Sequence, residues 1–274
     1  MGNYLVKSKA YKGYHYSQLS KASLDYLHKR TLEMFKEVKE IFDNHQIKYM
    51  ICGGTLLGAC PGCEANGKFI PWDDDFDVCV FEEDYDRIRE ILIKELDSSM
   101  ILHCQQTDSH YYHGWMKIKD KHSHVYPDES ILEYNGVWID LYMIRKIKKS
   151  EVNYLIVKEH LDYLNRRLAA GGISKEEFEK RVSDNNLLQK INEEKKLLEN
   201  SDSDEKVYII WSASKIVLNE DWVLPLKTLS FEGIECTTFN KYEEYLLQHY
   251  GEDYKSFPPE EVRRVSINKV LFDE

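Results

Sequence analysis

Residues 69–80 read FIPWDDDFDVCV. Asp73, Asp74 and Asp75 stand in a row, Asp77 follows one residue later, and apolar residues press in on both sides. Carboxylates this close repel one another, and Asp is a poor strand former. The apolar flanks nevertheless belong in a core. The chain must therefore fold so that a buried strand begins at the acids and a positive charge meets them. A solvated acidic turn is the plain alternative.

On an extended strand the side chains alternate. Asp73, Asp75 and Asp77 then share one face, and Asp74, Phe76 and Val78 the other. Phe76 anchors the strand while Asp75 and Asp77 project together. Two carboxylates at that spacing suit a hard divalent cation, Mg2+ with Mn2+ as the alternative, which takes oxygen ligands and keeps some waters. Such a cation handles phosphates. Upstream, IKYMICGGTLLGA (47–59) predicts a strand, a glycine turn and a short apolar helical turn. Backbone N–H groups at Gly53, Gly54 and Thr55 are placed to cradle a phosphate there, unless the glycines only make the turn tight. Downstream, Asp140 interrupts the apolar GVWIDLYMI (136–144). A lone Asp between Ile139 and Leu141 is costly unless paired, and a metal shared with Asp75 and Asp77 would pair it. Strand, Gly-Gly, strand with Asp-x-Asp, and a third acid on a later strand form the nucleotidyltransferase pattern. Two metal ions can there clamp the attacking and leaving oxygens of a phosphoryl centre.

GGTLLGA (53–59) followed by FIPWDDDFDV (69–78) resembles the LicD family. That family includes bacterial phosphocholine transferases and is related to the fukutin-type ribitol-phosphate transferases. The resemblance spans residues 30–145 and continues more loosely through FEGIECTTFNKYEEYLLQHYGEDY (231–254). It implies a nucleotidyltransferase-like fold and transfer of a phospho-alcohol, choline by default, from a CDP-linked donor to a sugar or glycan hydroxyl. Asp75 and Asp77 match the family's metal-binding pair and Asp140 its third acid, so these three are the expected catalytic and metal-binding residues. Transfer of ribitol or glycerol phosphate, nucleotidyl transfer, and an inactive glycan- or nucleotide-binding module are the alternatives. The chain departs from the family at CPGCEANGK (60–68), where LicD-like sequences carry a short basic stretch with an Arg. Lys68 is the cation left in that loop, so it is the expected phosphate partner, and the loop is expected at the mouth of the site.

Lys117 and Lys119 in WMKIKDK share a strand face and are placed to meet donor phosphates, or else they are the wet side of an edge strand. Cys60 and Cys63 form a C-x-x-C, half of a zinc site. Completing it needs partners such as His103, Cys104, His110 or His113; otherwise the loop holds two free thiols. Arg263 and Arg264 read as a solvated tail, with reach to the site as the alternative. His122 and His124 read as loop histidines. Nineteen Tyr suit a sugar- or choline-binding surface.

The order of elements supports a fold class of α+β. A helix is predicted over 20–45 with Ser20 as cap, strands over 47–52, 75–81, 100–104, 113–119 and 137–144, and a helix over 83–96. Residues 150–200 are helical and highly charged, with a break at Gly171 and Gly172. The expected architecture is an N-terminal extension (1–19), a nucleotidyltransferase-like mixed-sheet core with flanking helices (20–146), and a mostly helical C-terminal region packed on it (147–274). The net charge of −11 argues against broad binding to nucleic acid or to an anionic membrane. No apolar run is long enough to span a membrane, and the start lacks a signal-peptide core. Six Cys in 274 residues favour reduced thiols. A cytoplasmic location is expected.

Overall fold

The computed structural model describes residues 13–127, 131–200, 205–211 and 216–272, so residues 1–12 of the expected extension lie outside it. In chain order the first half holds β1 (Tyr14–His15), α1 (Lys21–Asn44), β2 (Tyr49–Ile51), α2 (Gly53–Ala59), β3 (Phe76–Phe81), α3 (Glu82–Glu95), β4 (Met100–His103), β5 (Met116–Asp120), β6 (Ser123–Tyr126) and β7 (Trp138–Lys148). There follow α4 (Val152–Ala169), α5 (Lys175–Asp184), α6 (Leu187–Glu199), β8 (Lys206–Trp211), β9 (Val217–Leu218), α7 (Glu220–Val223), β10 (Lys227–Phe231), β11 (Ile234–Thr238), α8 (Tyr242–Tyr250), β12 (Arg264–Val265) and β13 (Lys269–Phe272).

The periodic stretch after Ser20 forms α1. The Ser20 hydroxyl accepts the Ser23 backbone N–H at 3.1 Å and caps the helix. Leu27, Thr31, Met34, Phe35, Val38, Ile41 and Phe42 are buried along one face at three- and four-residue spacing. That face covers one side of a seven-stranded mixed sheet whose main order is β2-β3-β7-β5-β4. Phe76, Val78, Ile118, Ile139 and Leu141 are wholly buried on that side, and Phe35 stacks on Phe76 at 4.3 Å. β3 and β7 run parallel, while β2, β5 and β4 join their neighbours antiparallel. The architecture is α+β.

The C-terminal part differs from the expected one. Helices α4, α5 and α6 fill residues 152–199, but β8 then returns to the sheet and pairs with the second half of β7, from Met143 to Lys148. β7 therefore crosses the expected boundary at 146. β8 was illegible because its buried run Val207–Ile210 is too short to show a period, and its partner strand lies some 60 residues away. The β10–β11 hairpin follows, turning through Glu232 (φ 47°) and Gly233 (φ 78°), both in the left-handed region that a two-residue hairpin turn requires. It seats on the edge strand: the Thr238 hydroxyl donates to the Ile51 carbonyl at 2.9 Å. Finally β12 pairs with β1 and β13 with β6, so the chain's end folds back toward the acids. Among the described residues no helix is long and apolar enough to cross a membrane.

Candidate active site

Register builds the site. Asp77 on β3 stands opposite Asp140 on β7, and Asp140 stands opposite Lys117 on β5. Alternation then puts all three side chains on the sheet face that α1 does not cover. Asp75 precedes β3 by one residue and shares that face, as the strand pattern predicts. One oxygen from each of Asp75, Asp77 and Asp140 falls within 4.8 Å of the others. Asp77 and Asp140 are buried. Burial, then the charges of neighbouring acids, pushes the Asp75 and Asp77 carboxyls well above the usual carboxylate range, with Lys117 pulling the other way. Asp73, Asp75 and Asp77 line a cavity of about 380 Å³ with Gly54, Trp72 and Arg264.

Gly53 and Gly54 serve the acids, which corrects the expected phosphate cradle. Gly53 has φ +52°, and a Cβ there would lie 2.0 Å from Asp77 Oδ2. A Cβ on Gly54 would lie 2.5 Å from Asp73 Oδ2. Their N–H groups are already engaged: Gly53 donates to the Tyr245 hydroxyl and Gly54 to Asp77 Oδ2, each at 2.9 Å. Thr55 is buried, and its hydroxyl accepts the Asp77 backbone N–H at 2.8 Å. The turn is thus a close-packing device that holds β3 and its carboxylates in place.

Asp140 is paired inside the protein. Lys117 Nζ lies 2.8 Å from its Oδ1, the Trp138 indole N–H donates to Oδ2 at 2.8 Å, and the Trp115 indole N–H donates to Oδ1. Lys117 also sits 4.6 Å from the Trp138 ring centre, a cation–π contact. β5 lies between β4 and β7, so Lys117 and Lys119 are buried interior residues and not the wet side of an edge strand. Lys119 reaches away from the acids to donate to the Tyr134 carbonyl at 2.6 Å. The two tryptophans lie two residues from Lys117 and Asp140, so strand alternation alone would have placed them on the acid face.

The other acids divide. The Asp73 carbonyl accepts a bond from the His28 ring at 2.8 Å, and its buried Oδ2 has no hydrogen-bond partner among the described residues. Asp74 turns the opposite way and accepts from the Ser266 N–H, the Ser266 hydroxyl and the Ile267 N–H. Arg263 and Arg264, read from the sequence as a solvated tail, line the acid cavity, as do His249 and Tyr250 of α8. No local signal announces these partners, which lie far along the chain.

Lys68 is exposed and does not line that cavity, so it does not supply the expected cation there. Its loop is held on the outside. Gly67 N–H donates to the Gly58 carbonyl, Glu64 N–H to the Lys255 carbonyl, and Phe69 N–H to Glu232 Oε1. Cys60 and Cys63 are buried free thiols, pushed up first by burial. Among the described residues, the groups of three or more metal-capable side chains are all aspartate: Asp73–Asp74–Asp75 and Asp75–Asp77–Asp140. His103 instead bonds Asp108 at 2.8 Å.

The donor set fits a hard divalent cation. It is all oxygen, it includes an orphaned buried carboxylate oxygen on Asp73, and two glycines leave the space that side chains would fill. Residues 46–167 match the family described as LicD/FKTN/FKRP, nucleotidyltransferase domain. The chain carries a LicD-family domain. That domain spans β3, β5 and β7, and so contains every acid of the cluster. Over 240 residues the chain is 25% identical to the lipopolysaccharide cholinephosphotransferase LicD of Haemophilus influenzae, covering 80% of this chain and 86% of that protein. It is 28% identical over 148 residues to an uncharacterized protein of Rickettsia typhi, covering 49% of this chain and 44% of that one.

Proposed function

We propose that this protein is a metal-dependent transferase that moves a phospho-alcohol, phosphocholine by default, from a CDP-linked donor to a glycan hydroxyl. The observation that carries the reading is the convergence of Asp75, Asp77 and Asp140, whose oxygens approach within 4.8 Å of one another inside the stretch that matches a LicD-family domain. The similarity to a cholinephosphotransferase supports choline as the alcohol. Asp75, Asp77 and Asp140 would hold Mg2+ or Mn2+, which when bound would neutralise charge on phosphoryl oxygens. Lys117, fixed by Asp140 and the Trp138 ring, holds a second positive charge against the acid face. In the transfer, the acceptor oxygen bonds to the phosphorus next to the alcohol, the bond to CMP breaks, and the acceptor proton must leave. Of the three acids, Asp75 is a better proton acceptor than Asp140. Asp140 already accepts three N–H donors, whereas Asp75 accepts none among the described residues, and burial raises its carboxyl above the usual carboxylate range.

Thermal-shift measurements with CDP-choline, CDP-ribitol, CDP-glycerol and CTP, each with Mg2+ and with EDTA, test the donor. A ligand at 100 times its Kd stabilises by about 2.7 kcal/mol. CDP-choline should raise Tm with Mg2+ and lose that effect in EDTA. Stabilisation by CTP alone would move the reading to nucleotidyl transfer, and no response to any CDP-alcohol would overturn it.

A further inference from the structure

We infer that Arg263 and Arg264 form a clasp for a diphosphate over the acid cavity, and that Asp74 is the staple that positions it. The inference rests on the proposed CDP-linked donor only for the identity of the diphosphate's bearer.

Asp74 is the middle acid of the DDD run, yet it does not share the face of Asp75 and Asp77. It is buried, and its Oδ2 takes three donors at once, all from residues 192 or 193 positions further along the chain. A carboxylate oxygen so occupied has little left for a cation. What it does is pin Ser266 and Ile267 against the first residues of the acid run. Arg264 lies two residues before Ser266, on β12, which is held from its other side by β1. The staple and the strand pair together fix where Arg263 and Arg264 emerge.

They emerge at the cavity that Asp73, Asp74, Asp75 and Asp77 line, Asp74 with its Oδ2 given to Ser266 and Ile267. The Arg263 guanidinium lies 4.3 Å from the ring centre of Trp72, the residue just before the acids, and its Nε donates to the Pro258 carbonyl at 3.0 Å. Its side chain is 18% exposed, with Glu260 at 3.6 Å as its acid neighbour. Arg264 forms no ion pair among the described residues. Its Nη1 donates to the backbone carbonyls of Glu261 and Arg263 at 2.8 and 2.9 Å, which orients the group without neutralising it. Two permanently charged, planar donors thus face a well of carboxylates without being spent on them. A ligand that satisfies both sides must carry dense negative charge toward the arginines and bridge to a cation held by the acids. A diphosphate does so, with bidentate contacts to guanidinium. A neutral sugar or a trimethylammonium group has no use for the arginines. The clasp also supplies at the cavity the cation that Lys68, which does not line it, leaves wanting there.

The competing reading makes Asp74 a ligand in a second cation group with Asp73 and Asp75. Calorimetric titration separates the two. Wild type, Arg263→Ala, Arg264→Ala, Asp74→Ala and Asp74→Asn are titrated with Mn2+ alone, and then with pyrophosphate and with CDP-choline at saturating Mg2+. Losing charge-assisted contacts should weaken both phosphate ligands about 10-fold or more in each arginine variant. Mn2+ affinity should stay within about 2-fold of wild type. Asp74→Ala should copy the arginine variants, and Asp74→Asn, which keeps an acceptor oxygen, should recover part of the loss. Arg264→Ala binding pyrophosphate as wild type does overturns the clasp even if Asp74→Ala fails to fold. Loss of Mn2+ affinity in Asp74→Ala, with its phosphate affinity following only from that loss, overturns the staple. Wild type that binds pyrophosphate through Arg264 but no CDP-alcohol keeps the clasp and refutes the proposed donor. Arg263→Ala and Arg264→Ala variants that bind CDP-choline as tightly as wild type do the reverse.

Discussion

Gly53→Ala should damage the site more than any conservative change of similar size. The residue sits at φ +52°, where a Cβ costs about 1–2 kcal/mol of backbone strain. The added methyl would lie 2.0 Å from Asp77 Oδ2 and 2.6 Å from its Cγ, closer than non-bonded atoms approach. Asp77 must then rotate, which breaks its bond from the Gly54 N–H (2.9 Å). Breaking a hydrogen bond to a charged group costs about 1.5–3 kcal/mol. The sum is roughly 2.5–5 kcal/mol, a fall in Tm on the order of 10 °C for a chain of this size. Urea unfolding of wild type, Gly53→Ala, Asp77→Ala and the double variant, all in EDTA, tests the origin of that cost. With the carboxylate gone, only the backbone strain remains, so Gly53→Ala should cost about 1.5–3 kcal/mol less in the Asp77→Ala background. Mn2+ titration of Gly53→Ala should show weakened binding, since the displaced carboxylate is a proposed ligand. An equal cost in both backgrounds, or unchanged Mn2+ affinity, would refute the argument that this glycine exists to admit Asp77.

Asp77→Ala should leave the fold intact and reduce CMP release from CDP-choline by orders of magnitude, read by coupled nucleotide assay; near-normal transfer that still needs Mg2+ would remove Asp77 from the site. Lys117→Met leaves the buried Asp140 charge without its ion partner and should cost about 3–5 kcal/mol in urea unfolding, with a stable, active variant counting against the pair. His103 gives a pH signature: burial, then Lys119, lowers its pKa from 6.5 to about 4 despite the Asp108 bond. The unfolded chain therefore binds the extra proton first, so this group's contribution is whole above 6.5 and is lost as pH falls toward 4. His103→Gln should flatten the fall in Tm across that window, and an unchanged slope would show that other groups set it.

Strand periodicity determined much by itself. It put Asp75 and Asp77 on one face and Phe76 and Val78 on the other, and it marked Asp140 as an acid needing a partner. The same rule, applied two residues either way, would have found Trp115 and Trp138. The helix over 20–45 and its Ser20 cap were legible because capping and three-to-four spacing are local properties of the chain. What the tertiary structure decided was every partner far away in sequence. It set Asp140 opposite both Asp77 and Lys117, gave the N–H groups of Gly53 and Gly54 to Tyr245 and Asp77, and brought β8 back beside β7. It put Lys68 outside the acid cavity and brought Arg263 and Arg264 to it, through an Asp74 contact spanning 192 residues. A residue's neighbours along the chain dictate which way its side chain points. The group waiting there is supplied by strand register and chain return, which depend on the packing of the whole core and leave no local trace.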